Sequence, residues 1–171
     1  MRIEIVGGET GWPLVEALDE EVYPPDVMQS VPWRNVTWAH ADKRAIVVED
    51  DAVRCHAGIF YRDGRLAGQT TRIAGIGGVM TSPHYRGRGF ARAAILAAAE
   101  EMGLDRAEFG LLFCEPKMVP FYAALGWCVF EGPVWFEQPQ GREKFDYMAA
   151  MCLALRTTPV CGEIDLCGLP W

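Results

Sequence analysis

The residues best suited to chemistry in this chain are Arg86-Gly87-Arg88-Gly89-Phe90-Ala91. They follow the apolar run Ile76-Gly77-Gly78-Val79-Met80-Thr81 and open an alanine-rich segment that reaches Met102. The first turn of a helix leaves backbone N–H groups without partners, and the helix dipole favours negative charge there. Glycines at 87 and 89 let an anion approach the main chain with no Cβ in the way. Arg86 and Arg88 can add charge-assisted contacts. A small Ala91 keeps the opening of the helix clear. The chemistry implied is the capture of a phosphate or diphosphate, against the plainer alternative of a solvated basic turn. The segment is not a P-loop, because Gly-Lys-Ser/Thr is missing. It is not a dinucleotide fingerprint either, because the glycine spacing differs.

Such a loop needs a strand before it and a helix after it. Residues 2–7 read as a first strand. Pro13 fits the first turn of a helix whose apolar residues Leu14, Ala17, Leu18 and Val22 recur at helical spacing, and Pro24-Pro25 ends it. Residues 26–42 are irregular or short-helical. Residues 45–48 and 52–61 read as strands around an Asp50-Asp51 turn. Asp63-Gly64 in Arg62-Asp63-Gly64-Arg65 signals a hairpin, and the chain returns over 66–81. Gly75, Gly77 and Gly78 inside this run predict a bulge or another backbone passing close by. Pro83 breaks the strand. A helix follows over 89–102, then a strand over 108–114 and a short helix over 116–125 capped by Gly126. Residues 127–136 and 146–155 read as two closing strands, and 157–171 as a tail without clear pattern. The order predicts an α/β domain over 1–156 with a parallel crossover where the later helices intervene.

On these residues the chain resembles the GNAT superfamily of N-acetyltransferases. Arg86, Gly89 and Ala91 fill its Arg/Gln-x-x-Gly-x-Gly/Ala acetyl-CoA motif. Pro120-Phe121-Tyr122-Ala123-Ala124-Leu125-Gly126-Trp127 is similar to the family's Phe-Tyr-x-x-x-Gly-Phe/Trp segment. The resemblance implies a mixed, mostly antiparallel sheet flanked by helices and splayed between its fourth and fifth strands. It implies acetyl-CoA as co-substrate, held by Arg86, Gly87, Arg88, Gly89, Phe90 and Ala91, and by main-chain groups at Val79, Met80 and Thr81. A backbone N–H near Val79 would polarise the thioester carbonyl. Tyr122 is the implied acid, a phenol able to protonate a leaving thiolate. Glu115 is the candidate base, with a solvated loop carboxylate or a helix N-terminal charge as its alternatives. His84, a Cys114 acyl intermediate and a water chain to a carboxylate are weaker routes.

Within the superfamily the chain resembles the aminoglycoside 2′-N-acetyltransferase branch. Its ending, Ile164-Asp165-Leu166-Cys167-Gly168-Leu169-Pro170-Trp171, is similar to the acidic, Trp-terminated tail of those enzymes. The resemblance implies that Asp165 and the Trp171 carboxylate face a cationic amine. The Glu which that branch carries on its fourth strand is replaced by Gly77. Trp12, Trp33 and Trp38 are candidates to line an acceptor pocket, Trp33 foremost, with core packing as their alternative. The expected reaction is acetyl transfer to a primary amine of a small, cationic acceptor. A non-catalytic acetyl-CoA-binding module and an acyltransferase using a longer donor or a protein acceptor are the rival readings.

Composition sets limits on partners. Sixteen basic residues against 23 acidic ones give a net charge of −7 over 171 residues, which argues against nucleic acid. The first residues carry no cleavage pattern, and no apolar stretch is long enough to span a bilayer, so the expectation is a cytoplasmic protein. None of the six cysteines forms a Cys-x-x-Cys pair, so neither disulfides nor a metal are expected. A homodimer stays open.

Overall fold

The computed structural model describes residues 1–159 and 161–171. Strand β1 (Arg2–Gly7) leads into α1 (Gly8–Val22) and α2 (Pro25–Ser30). Strands β2 (Lys43–Glu49), β3 (Ala52–Leu66) and β4 (Gln69–Thr81) form a meander, and α3 (Phe90–Leu104) crosses over to β5 (Phe109–Cys114). Helix α4 (Val119–Ala123) precedes β6 (Cys128–Val129), β7 (Val134–Gln138), β8 (Gly141–Lys144), β9 (Ala149–Ala154) and β10 (Ile164–Asp165).

The strands join one sheet in the order β6-β9-β5-β4-β3-β10-β7-β8, with β2 and then β1 attached along another stretch of β3. Among the described residues only the β4–β5 and β10–β7 pairs are parallel; the rest are antiparallel, in agreement with the mixed, mostly antiparallel sheet expected above. The β4–β5 crossover runs through α3, because parallel neighbours cannot be joined by a tight turn. The α3 face buries Ala94, Ile95, Ala98 and Met102 against Ala57, Ile59, Ile76 and Leu112. The other face is covered by α1 at one end and, at the other, by Phe109, Leu111, Phe136, Phe145, Leu166 and Trp171.

Several boundaries differ from those expected. Helix α1 begins at Gly8, five residues before Pro13, because Gly8 packs directly on the chain: a Cβ there would lie 1.7 Å from the Ala41 carbonyl oxygen. Pro24-Pro25 does end α1, yet Pro25 also starts α2, where a missing N–H costs nothing. The hairpin expected at Asp63-Gly64 is not there. Asp63 pairs with Arg72 and Gly64 with Thr71, and the turn falls at Ala67-Gly68, with φ of 50° and 78°. Gly64 instead makes room for β10, since its Cβ would stand 2.6 Å from the Asp165 oxygen. The first closing strand breaks at Gly132-Pro133 and yields a separate β7–β8 hairpin. The segment expected to lack pattern contains β10, which bonds to β3 and β7.

The glycine-rich part of β4 satisfies both of its predicted roles. His56 faces Met80 and Gly58 faces Gly77, so β4 carries one extra residue at Gly78-Val79, a bulge with Gly78 at φ 57°. Another chain segment also passes close by: a Cβ on Gly75 would meet the Trp171 indole at 2.0 Å, and one on Gly77 its main chain at 2.8 Å.

Candidate active site

The parallel ladder between β4 and β5 pairs Ile73–Ile76 with Phe109–Leu112 and then stops. β4 nevertheless runs on to Thr81 and β5 to Cys114. The bulge at Gly78-Val79 turns β4 away, and a wedge opens between two strands that stay paired on their outer sides, to β3 and β9, but no longer to each other. One wall of the wedge leads into the Arg/Gly loop, and the other leads into Glu115.

The loop has the geometry an anion needs. Gly87 and Gly89 have φ of 76° and 82°, and nothing lies within 4 Å of a Cβ built on either. Gly89 caps α3 in the left-handed conformation, with no side chain bonded to the cap and no acidic residue in the first turn. The first N–H groups of a 15-residue helix are therefore open to a ligand. Arg86 and Arg88 are exposed. Arg86 Nε donates to the Thr81 carbonyl at 3.2 Å, and Arg88 rests on the Tyr85 ring at 4.8 Å. Tyr85 is held in turn by Asp50 and Arg54, which fixes the loop to the β2–β3 turn. Ala91 is half-buried. Met80 and Phe90 point their side chains into the core, at 3% and 6% exposure, so each can offer a ligand only its main chain. A diphosphate fits these residues: open amides, two glycines without Cβ, two guanidinium groups and no acidic residue in the first turn of α3. Replacing Gly89 with Val would force a branched side chain to a positive φ and crowd those amides. The expected result is coenzyme A affinity at least about tenfold weaker by calorimetry, about 1.4 kcal/mol.

Tyr122 is buried on α4, with its ring at 5.1 Å from Phe121. Burial raises its pKa, and the neighbouring Cys114, Tyr23 and Cys55 raise it further, so the phenol keeps its proton at neutral pH. Its hydroxyl bonds to no protein group among the described residues. Tyr23, at the end of α1, was not singled out from the sequence. Burial raises its pKa, as do Asp19 and Glu115, whereas Arg86 lowers it. Helix α1, the loop, β5 and α4 thus converge around one pair of phenols. No sequence signal marked Tyr23, because a tyrosine before two prolines reads as a helix end. Cys114 is held up at about 11 by burial and by Glu115, so it is a neutral thiol and a poor nucleophile.

Glu115 and Trp33 line one cavity of about 480 Å³, with Ser30, Val31, Pro32, Pro116, Lys117 and Tyr147. Lys117 is ion-paired with Glu115. Trp12 instead stacks under Arg44 at 4.9 Å, and Trp38 packs edge-on to Phe145 at 6.2 Å. Neither Asp165 nor Trp171 lines this cavity. Asp165 accepts from Arg142 Nε at 2.8 Å and from the Cys167 N–H at 2.9 Å. Those bonds and the Arg142 charge outweigh burial and lower its pKa. Trp171 is 4% exposed, stacks on Phe60 at 5.8 Å and donates to the Leu111 carbonyl at 3.1 Å. His84 is exposed on the loop.

Behind the bulge lies a buried polar relay. Arg44 Nη1 is 3.0 Å from His56 Nε2, and His56 Nδ1 is 2.8 Å from the Gly78 carbonyl. Burial lowers the His56 pKa to about 4, the Gly78 carbonyl opposes this, and Arg44 adds to it. The folded protein thus binds the His56 proton less well than the unfolded chain. This group costs the fold nothing above pH 6.5, its ordinary value, and destabilises it as pH falls toward 4. At ~1.4 kcal/mol per pH unit, the loss is on the order of 3 kcal/mol. A drop in thermal midpoint between pH 6.5 and 4 that shrinks in His56→Asn is the expected observation.

Comparison with known proteins agrees with this geometry. The family model described as the acetyltransferase (GNAT) domain matches residues 9–130. No curated protein sequence matches the chain. Among solved structures, the fold is similar to that of the GNAT family N-acetyltransferase YhbS from Escherichia coli in complex with CoA. That pair has a TM-score of 0.65 at 14% identity, covering 97% of this chain and 89% of that one. It is also similar to a GNAT family acetyltransferase from Brucella melitensis in complex with acetyl-CoA, with a TM-score of 0.62 at 13% identity, covering 95% and 94%. A third, an N-acetyltransferase from Lactobacillus plantarum, has a TM-score of 0.61 at 18% identity, covering 90% and 97%. The chain is an acyltransferase domain with a splayed sheet and a glycine-rich loop at the start of α3, and it belongs to the GNAT acetyltransferase family. Among the described residues no helix is long and apolar enough to cross a membrane.

Proposed function

We propose that the protein transfers an acetyl group from acetyl-CoA directly to a primary amine of a small cationic acceptor. The observation that carries this reading is the wedge between β4 and β5, which has an anion loop at the end of one wall and Glu115 at the end of the other. Acetyl-CoA supplies an activated thioester when bound. The loop amides with Arg86 and Arg88 hold its diphosphate, and the main chain of Val79, Met80 and Thr81 holds its arm. The Val79 N–H donates to the oxygen on which charge develops. Tyr122, kept protonated by burial, is the proton donor. Glu115 accepts the proton of the attacking amine.

The acceptor enters the cavity that holds Trp33, Tyr147 and Glu115. Two aromatic side chains and a carboxylate suit a cation with an apolar body, and the incoming amine replaces Lys117 in its exposed ion pair with Glu115. This differs from an acceptor site built on Asp165 and the Trp171 carboxylate: Asp165 is 16% exposed in its pair with Arg142 and also accepts from the Cys167 N–H, whereas Glu115 is 43% exposed in its pair with Lys117. An aminoglycoside is one member of the acceptor class.

Release of free thiol from acetyl-CoA, measured against a panel of cationic, neutral and anionic amines, tests the proposal. Amine-dependent release with cationic members fastest is the expected result; no release with any amine removes the reading. Trp33→Ala is expected to raise KM for the best amine about tenfold, the worth of a cation–π contact and its apolar area, with KM for acetyl-CoA unchanged.

A further inference from the structure

We infer that His56 is a positioning residue for acetyl transfer: by donating to the Gly78 carbonyl it aims the Val79 N–H into the wedge between β4 and β5. The inference rests on the reading above, in which that N–H serves the thioester oxygen.

The hydrogen positions follow from the partners. A guanidinium has no acceptor, so the Arg44 contact at 3.0 Å makes His56 Nε2 the acceptor. The remaining proton of the neutral ring is on Nδ1, where the Gly78 carbonyl takes it at 2.8 Å. Both contacts agree on one tautomer. Arg44 is itself fixed, 6% exposed, with Nε donating to the Gly8 carbonyl at 2.7 Å and Trp12 stacked on its other side. The ring therefore cannot turn over without breaking a buried bond.

The direction of the Val79 N–H follows from peptide planarity. Strand β4 lies between β3 and β5. His56 is on β3, and its ring holds the Gly78 carbonyl. In a planar trans peptide the N–H points opposite to the C=O, so the Val79 N–H points away from the His56 ring, and since neither Gly78 nor Val79 has a β3 partner in the ladder, β5 is the neighbour on the open side. There the parallel ladder has already ended, at Ile76 and Leu112. Gly78 has no side chain to resist rotation of this peptide, and its φ of 57° is one that few residues adopt. The imidazole supplies the restraint that the glycine lacks. A donor to a developing oxyanion works only if it is already oriented when charge appears.

His56→Leu removes the restraint and keeps an apolar filler of similar reach. Its kcat is expected to fall about 100-fold, the loss seen when an oxyanion donor is removed. KM for acetyl-CoA should stay within about threefold, because the interaction is made in the transition state. His56→Asn places an amide N–H where Nδ1 was and should recover at least about tenfold in kcat over His56→Leu. If His56→Leu does not fold, His56→Gln replaces it, since its longer side chain keeps a buried amide but carries it past Gly78. Equal kcat in the Asn variant and its Leu or Gln counterpart overturns the inference, as does a folded His56→Leu with wild-type kcat. Amide NMR of the wild type separates this from failure of the underlying reading. If acetyl-CoA shifts the Val79 amide more than coenzyme A does, the reading stands, and the same shift in His56→Leu sinks only the role of His56. If the wild-type amide does not respond, both fall together.

Discussion

Tyr122→Phe is expected to lower kcat by at least about 100-fold, the usual range for loss of a general acid being 10² to 10⁴. The fold should barely register the change. The ring stays in the α3-side core, and the hydroxyl has no protein partner among the described residues to strand when it goes. Burial and the nearby Cys114, Tyr23 and Cys55 all favour the neutral phenol. A tyrosine with a raised pKa gives up its proton less readily to water, but it has that proton available throughout the neutral range. Accordingly, the wild-type rate should show no falling limb from this group until the pH is above 10, its ordinary value. Steady-state kinetics, with thermal melts as the control, check both points. Turnover unchanged in a folded Tyr122→Phe protein would move the proton donor elsewhere, with Tyr23 the next phenol to replace.

Trp171→Ala should destabilise the protein by about 3–5 kcal/mol, the cost of deleting a large aromatic side chain from a packed core. For a domain of this size that is a fall of about 10 °C in thermal midpoint. The indole fills the space beside Gly75, stacks on Phe60 and bonds to β5 through the Leu111 carbonyl. Arg62 covers its other surroundings, with the guanidinium 5.5 Å from the ring and bonded to the Leu169 carbonyl. A coupled experiment isolates the contact. Gly75→Ala alone puts a Cβ 2.0 Å from the indole and should destabilise. In the Trp171→Ala background the same change should cost nothing, or gain about 0.5–1 kcal/mol, because glycine is a poor strand residue. Additive effects in the two backgrounds would break the link between Gly75 and Trp171. A Trp171→Ala protein with an unchanged melt but a raised KM for the amine would assign the tail the acceptor role that its motif implies.

The sequence by itself determined the local parts of this protein. Arg86 to Ala91 announces a positive-φ turn into a helix because the requirement is local: glycines at 87 and 89, a helix start at Phe90, and arginines beside them. The alanine-rich α3, the strand before it and the helix carrying Tyr122 are legible for the same reason, since each depends on neighbours within a few residues. Gly75, Gly77 and Gly78 marked a place where something comes close without saying what. Only the tertiary structure decided that it is Trp171 for the first two and a bulge for the third. The same holds for Gly64, which looked like half of a turn and is a gap left for β10. Tyr23 and the His56–Arg44 relay carry no motif at all. Their partners lie across the fold: Gly8 and Gly78 for the relay, and for Tyr23 Glu115 after β5 and Arg86 in the loop. A sequence records which residues can bond, whereas burial and the meeting of distant strands select which bonds are made.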